Sequence, residues 1–237
     1  MAIFKNTPPV VTDGLILYLD AANRQSYVSG STTWKDISGN NNSGSLVNGP
    51  TFDTGNGGSI VFDGVDDFVN MDGYLYSNLN EHTAIAIFQT YDGTAGWQEI
   101  LQKGQRRDFK IRMSGFGSYR LNLGYETTSG SYDYNYNGIQ DSAWYFAGMN
   151  IKINNNNASG SINYYINDQK VSQSPVDPNG QLFETDLYPG QFRIGGMSNG
   201  SEWLIGEVAL ALVYERQLSD QEMLQNYNSL KIRFNLT

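Results

Sequence analysis

The chain's 237 residues include no cysteine, which removes disulfide bonds and thiolate chemistry and excludes the disulfide-dense secreted scaffolds. Its single histidine, His82, leaves no Ser/His or Cys/His relay and reads as a loop residue rather than a catalyst. No stretch approaches the apolar length needed to cross a membrane, so membrane insertion is not expected. Met1 to Pro9 lacks a basic start followed by an apolar run, so no signal peptide is expected and synthesis is placed in a cytoplasm. Basic residues are also scarce: 15 Lys and Arg stand against 24 Asp and Glu, a net charge of −9. A nucleic-acid partner calls for a basic patch. Lys103, Arg106, Arg107 and Lys110 are the one cluster, and they read as a solvated hairpin end.

What is abundant is glycine, asparagine and aromatic residues, with 26 Gly, 16 Tyr and 11 Phe. Many short strands joined by tight turns have this composition; long amphipathic helices do not. Pro8-Pro9 holds residues 1–11 as an extended arm. Leu15–Leu19, Ser59–Phe62, Ala84–Thr90 and Trp144–Ile151 read as buried strands, and Glu99–Lys103, Phe109–Met113 and Arg120–Tyr125 alternate as half-exposed ones. Trp144 and Trp203 fall within strand patterns and are expected in the core. One helix is expected at about 219–232, where Ser219 and Glu222 form a capping box and Met223, Leu224, Tyr227 and Leu230 share a face.

Particular segments carry a resemblance. Gly14-Leu15-Ile16-Leu17-Tyr18-Leu19-Asp20 leads into Thr33-Trp34-Lys35-Asp36-Ile37-Ser38-Gly39. Gly58-Ser59-Ile60-Val61-Phe62-Asp63-Gly64-Val65-Asp66-Asp67 follows, and Ile205 to Glu222 closes the chain. The pattern resembles the laminin-G-like domains of the concanavalin A-like lectin/glucanase superfamily, in the version found in bacteriophage structural proteins. The resemblance implies an all-β, two-sheet antiparallel jelly-roll sandwich over residues 12–237. It also implies a glycan- or protein-binding role and, in many members, a structural calcium ion. A virion protein would be made in the host cytoplasm, present in many copies, and placed as capsid decoration or as part of a tail or fibre. Its partners would be host-surface glycans and other virion proteins, met through residues 1–11 or an aromatic face. A purely structural cement or spacer is the alternative.

Glycans offer apolar ring faces to aromatic planes and hydroxyls to polar side chains. Trp97, in a Gly-rich stretch, is the exposed-anchor candidate. Tyr132, Tyr134 and Tyr136 alternate with polar residues and would share one strand face, either as a binding platform or as interior packing. For a hard cation the oxygen donors are Asp63, Asp66 and Asp67 around a tight turn, with Asp20, Asp36 and Glu207 in the matching segments. A superfamily hydrolase needs a carboxylate pair. The nearest match, Glu184-Thr185-Asp186, has Tyr188 and Pro189 where the second Glu belongs, so a non-enzymatic module is expected.

Overall fold

The computed structural model describes residues 8–71, 75, 81–104, 109–114, 119–127, 130–152, 160–176, 192–197 and 200–236. Residues 1–7 of the expected arm, Arg106 and Arg107, and the whole of Glu184 to Pro189 lie outside them.

In chain order the strands are β1 (Leu15–Asp20), β2 (Thr33–Trp34), β3 (Gly44–Val47), β4 (Thr51–Asp53), β5 (Ser59–Asp63), β6 (Phe68–Met71), β7 (Glu81–Thr90) and β8 (Trp97–Lys103). They continue as β9 (Phe109–Ser114), β10 (Arg120–Thr127), β11 (Gly130–Tyr136), β12 (Tyr145–Lys152), β13 (Gly160–Ile166), β14 (Gln169–Val176), β15 (Phe192–Ile194) and β16 (Ile205–Tyr214), before one helix, α1 (Asp220–Phe234). The first sheet runs β14-β13-β12-β7-β16-β5-β4, with β1 beside β16; the second runs β11-β10-β9-β8-β15-β6-β3-β2. All pairings are antiparallel, and the expected two-sheet jelly-roll sandwich is the observed architecture.

The central strands β7, β12 and β16 of the first sheet are buried on both faces, which explains their continuous apolar runs. Ala84, Ala86 and Phe88 of β7 face the second sheet, while Ile85 and Ile87 face α1. In β16 a bulge between Val208 and Leu210 turns both Ala209 and Leu210 toward the helix side, and alternation then resumes. Gly148 gives α1 its close seat: a Cβ there would lie 2.5 Å from Met223 Cε.

The helix begins as its capping box specifies. Ser219 Oγ accepts from Glu222 N–H, and Glu222 Oε2 accepts from Ser219 N–H at 2.8 Å. Met223, Asn226, Tyr227, Leu230 and Phe234 form the buried face. Leu224, expected on that face, is exposed at 43 %, because it lies one helical step of about 100° beyond Met223. Residues 8–11, the described part of the expected extended arm, are tied to this helix and to β16. Val11 N–H donates to Asn226 Oδ1 at 2.8 Å, its carbonyl accepts from Tyr214 O–H at 2.9 Å, and the Pro9 carbonyl accepts from Gln225.

Arg216 locks the helix start. Its guanidinium meets Glu222 Oε1 at 2.6 Å and Asp13 Oδ2 at 2.9 Å. The Arg216 guanidinium beside Glu222, helped by the Ser219 donors, lowers that carboxyl from its ordinary 4.5 to about 2. A lowered folded-state pKa contributes stability above the ordinary value and loses it as pH falls toward the folded one. Glu222→Gln is therefore expected to destabilise the protein at pH 7, and the difference from wild type should disappear near pH 2. Urea denaturation across that range checks this; a difference that does not change with pH would contradict it.

Candidate functional site

Alternation along β10 defines two faces of the second sheet. Leu121, Leu123 and Tyr125 enter the sandwich core, so Arg120, Asn122 and Gly124 lie on the outer face. The register carries that face across the sheet: Asn122 stands opposite Arg112 and Asn135, Arg112 opposite Glu99, and Trp97 and Arg120 both pair with Ser114. Four neighbouring strands, β8 to β11, thus bring Trp97, Glu99, Arg112, Arg120, Asn122 and Asn135 together.

These side chains form a network centred on Arg112. Its guanidinium lies 3.8 Å from the Trp97 ring centroid, in a cation–π stack. Its Nε donates to Asn122 Oδ1 at 3.1 Å, and Nη1 sits 3.6 Å from Glu99 Oε1 and 3.4 Å from Glu202 Oε2. Asn122 Nδ2 donates onward to Asn135 Oδ1 at 3.0 Å. Glu202 reaches Arg112 from the loop before β16, with a left-handed φ of 59° that a non-glycine residue adopts at a cost. Lys110 Nζ meets Asp133 Oδ1 at 3.0 Å one pair further along.

Arg120 differs from these cations. It is half-buried, its Nε is closed off from solvent, and it has no hydrogen-bond or ion-pair partner among the described residues. An unsatisfied buried donor costs about 1–3 kcal/mol. Beside it, Tyr119 is 40 % exposed and donates its O–H to Asp141 Oδ2 at 2.9 Å; Asp141 Oδ1 accepts from Gly93 N–H at the same distance. Loop 91–96 is thereby fixed at the end of the face.

The structure changes several sequence-based expectations. Trp97 does not stand in a loop: it opens β8, half-buried, with Arg112 stacked on its ring. Tyr132, Tyr134 and Tyr136 lie opposite Tyr125, Leu123 and Leu121, so the stripe packs against the core, and Tyr134 stacks on Tyr164 at 5.6 Å. It is interior packing and not an open platform, because each tyrosine inherits the inward face of its β10 partner. Lys103 and Lys110 are buried instead of ending a solvated hairpin. The alternation in β8, β9 and β10 was expected to mark half-exposed strands. Glu99, Gln102, Lys110, Arg112 and Asn122 are nevertheless buried on the polar face, where charge pairing and hydrogen bonds offset the loss of water. His82 lies within β7, fully buried among the Phe109 and Tyr125 rings, and not in a loop. Trp144 immediately precedes β12 and Trp203 stands two residues before β16, half-buried against Phe234 and Phe68 respectively.

The six candidate cation ligands do not form one centre. Asp20 is held by Arg233 at 2.8 Å, Asp36 accepts from the backbone N–H groups of Tyr18, Ser38 and Asn42, and Glu207 accepts from Ser59 Oγ. Asp63, Asp66 and Asp67 do converge, offering carboxylate oxygens within 4.8 Å of one another. Burial, with the charges of Asp63 and Asp66, pushes the Asp67 carboxyl up, against a hydrogen bond from Asp63 N–H. An all-oxygen set of this kind suits a hard divalent cation, with further oxygens from backbone or water.

Arg112, Arg120, Asn122, Asn135, Glu202, Tyr119 and Asp141 were not singled out from sequence. The polar positions of three consecutive alternating strands were a usable signal for the first four, but only the strand register places them together.

The class this fold defines is the jelly-roll β-sandwich with a C-terminal helix. No protein-family model and no curated protein matches the chain. Among solved structures, the botulinum neurotoxin serotype D binding domain aligns with a TM-score of 0.66 at 14 % identity, covering 92 % of this chain and 52 % of that one. The botulinum neurotoxin type G receptor binding domain aligns at 0.62 and 11 % identity, over 91 % and 51 %. A Trypanosoma rangeli sialidase in complex with sialic acid aligns at 0.65 and 15 % identity, over 97 % of this chain and 36 % of that one. The chain spans about half the length of the neurotoxin domains and about a third of the sialidase. Likeness at these identities establishes a shared fold.

Proposed function

We propose that the chain is a non-enzymatic, lectin-like module that binds glycans on the outer face of its second sheet, carried in many copies on a bacteriophage particle as capsid decoration or part of a tail or fibre. The observation that carries the binding role is the Trp97–Arg112–Asn122–Asn135 arrangement. The half-buried Trp97 ring is held in place by the buried Arg112–Asn122 pair, and the exposed Asn135 amide stands on the same face, the pairing of an aromatic plane with a polar group that a sugar ring and its hydroxyls require. The virion setting rests on the resemblance of the chain's two ends to phage structural domains. Lectin-type sites are individually weak, and display in many copies supplies the avidity. One neighbour of the fold is a receptor binding domain and another is in complex with sialic acid, which fits the same kind of role.

The non-enzymatic part is supported by Glu99 and Glu202. The two carboxylates share one guanidinium, and Glu99 is fully buried, which leaves neither placed as a free acid beside a nucleophile. In the same reading Asp63, Asp66 and Asp67 hold a calcium ion that braces the β5–β6 turn.

A glycan array probed with the module tetramerised on streptavidin tests the reading. Binding to at least one glycan is expected. Trp97→Ala is expected to weaken it by about tenfold, since a stacking contact contributes roughly 1 kcal/mol or more. Absence of binding across the array, or full binding by Trp97→Ala, would overturn it.

A further inference from the structure

We infer that the glycan recognised at this face carries a carboxylate, and that Arg120 is the residue that receives it; the inference rests on the glycan-binding reading above. The three carboxylates of this network each lie against another cation. Glu99 and Glu202 both lie against Arg112, and Asp133 lies against Lys110. Arg120 touches none of them: it has no ion-pair or hydrogen-bond partner among the described residues, and its Nε is shut off from solvent. A guanidinium presents its donors in a rigid fork that matches a carboxylate in two parallel hydrogen bonds. A folded protein gains nothing from a half-buried fork left empty, whereas an incoming carboxylate satisfies it.

Position supports the same assignment. Arg120 and Trp97 pair with the same residue, Ser114, from opposite sides, so they stand two strand spacings, about 10 Å, apart on one face. That separation suits a ligand whose ring lies on the aromatic residue while an acidic substituent, or the acidic sugar next along a chain, reaches the guanidinium. Asn122, the next outward residue on β10, is buried and held between Arg112 and Asn135, so it fixes the floor of the face beside Arg120. Tyr119 stands at the rim with its ring at 40 % exposure and its hydroxyl fixed on Asp141.

Two sources share this chemistry: sialic acids, and uronic acids of polysaccharides. Matched pairs separate them, 3′-sialyllactose against lactose, and trigalacturonate against its methyl ester, each measured against the tetramerised full chain at low and high salt. The acidic member of one pair is expected to bind about tenfold or more tighter than its neutral partner, with the preference shrinking in high salt. Arg120→Gln is expected to abolish the preference, and Arg120→Lys to keep part of it. Because Arg120 has no partner among the described residues to lose, neither variant should lower the urea midpoint, which separates a binding effect from misfolding. Equal binding of acidic and neutral members by the wild-type chain, or an undiminished preference in Arg120→Gln, overturns the inference while leaving glycan binding intact. Absence of binding to all four, and to the wider array, overturns both.

Discussion

Replacing Arg112 with leucine is expected to destabilise the protein by about 3–5 kcal/mol, the usual cost of removing one partner from a buried charge pair. Arg112 and Glu99 have side-chain exposures of 6 % and 0 %, and Glu202 faces the same guanidinium. Leucine fills much of the space but removes the guanidinium that Glu99 and Glu202 share, and Asn122 Oδ1 loses its donor. For a chain of this size each kcal/mol corresponds to roughly 2–4 °C, so the melting temperature should fall by about 10 °C. The companion variant Arg112→Leu/Glu99→Leu is expected to recover part of the loss, because it removes the stranded charge along with its partner. Guanidinium denaturation of the two variants and wild type gives the comparison. A single variant within 1 kcal/mol of wild type would mean that the Arg112 network does not organise this face, and the binding site built on it would lose its support.

The second large effect is expected at Gly195, just after β15. Gly195 has a φ of 87°, and a Cβ there would lie 2.4 Å from Cδ1 and Cε1 of Phe62, a buried residue of β5. Alanine meets two separate penalties, about 1–2 kcal/mol for the left-handed backbone and about 1–3 kcal/mol for overpacking. Gly195→Ala should therefore cost about 2–5 kcal/mol in total. Gly30 supplies an internal control: its φ is 85°, but no atom lies within 4 Å of its would-be Cβ. Gly30→Ala is expected to show the backbone penalty alone. Similar urea midpoints for the two variants would show that Phe62 yields, and that this junction between the sheets is looser than the geometry implies.

Gly195 also illustrates where the sequence stops being informative. Gly195 and Gly196 follow β15, and nothing local in the sequence says that the first glycine faces Phe62 and the second Trp203. The run from Val208 to Tyr214 is similar. Its apolar character marks a strand buried on both faces, but the bulge that sends Ala209 and Leu210 to the same side depends on the pairing with β7. The tyrosine stripe shows the same limit. Period-two alternation correctly placed Tyr132, Tyr134 and Tyr136 on one face, and only the register with Leu121, Leu123 and Tyr125 shows that this face is the inner one.

The sequence by itself determined the class of fold. Alternating and doubly apolar segments between glycine and asparagine turns specify sheets, and Ser219 with Glu222 specifies where the helix starts, because these signals are local in the chain. The tertiary structure decided which polar residues form the candidate site. Trp97, Arg112, Arg120, Asn135 and Glu202 are separated by many residues and meet only through strand register and one strained loop. Register is set by burial across the whole sandwich, where a slip of one residue would exchange the two faces, and that long-range energy has no signature in any one segment.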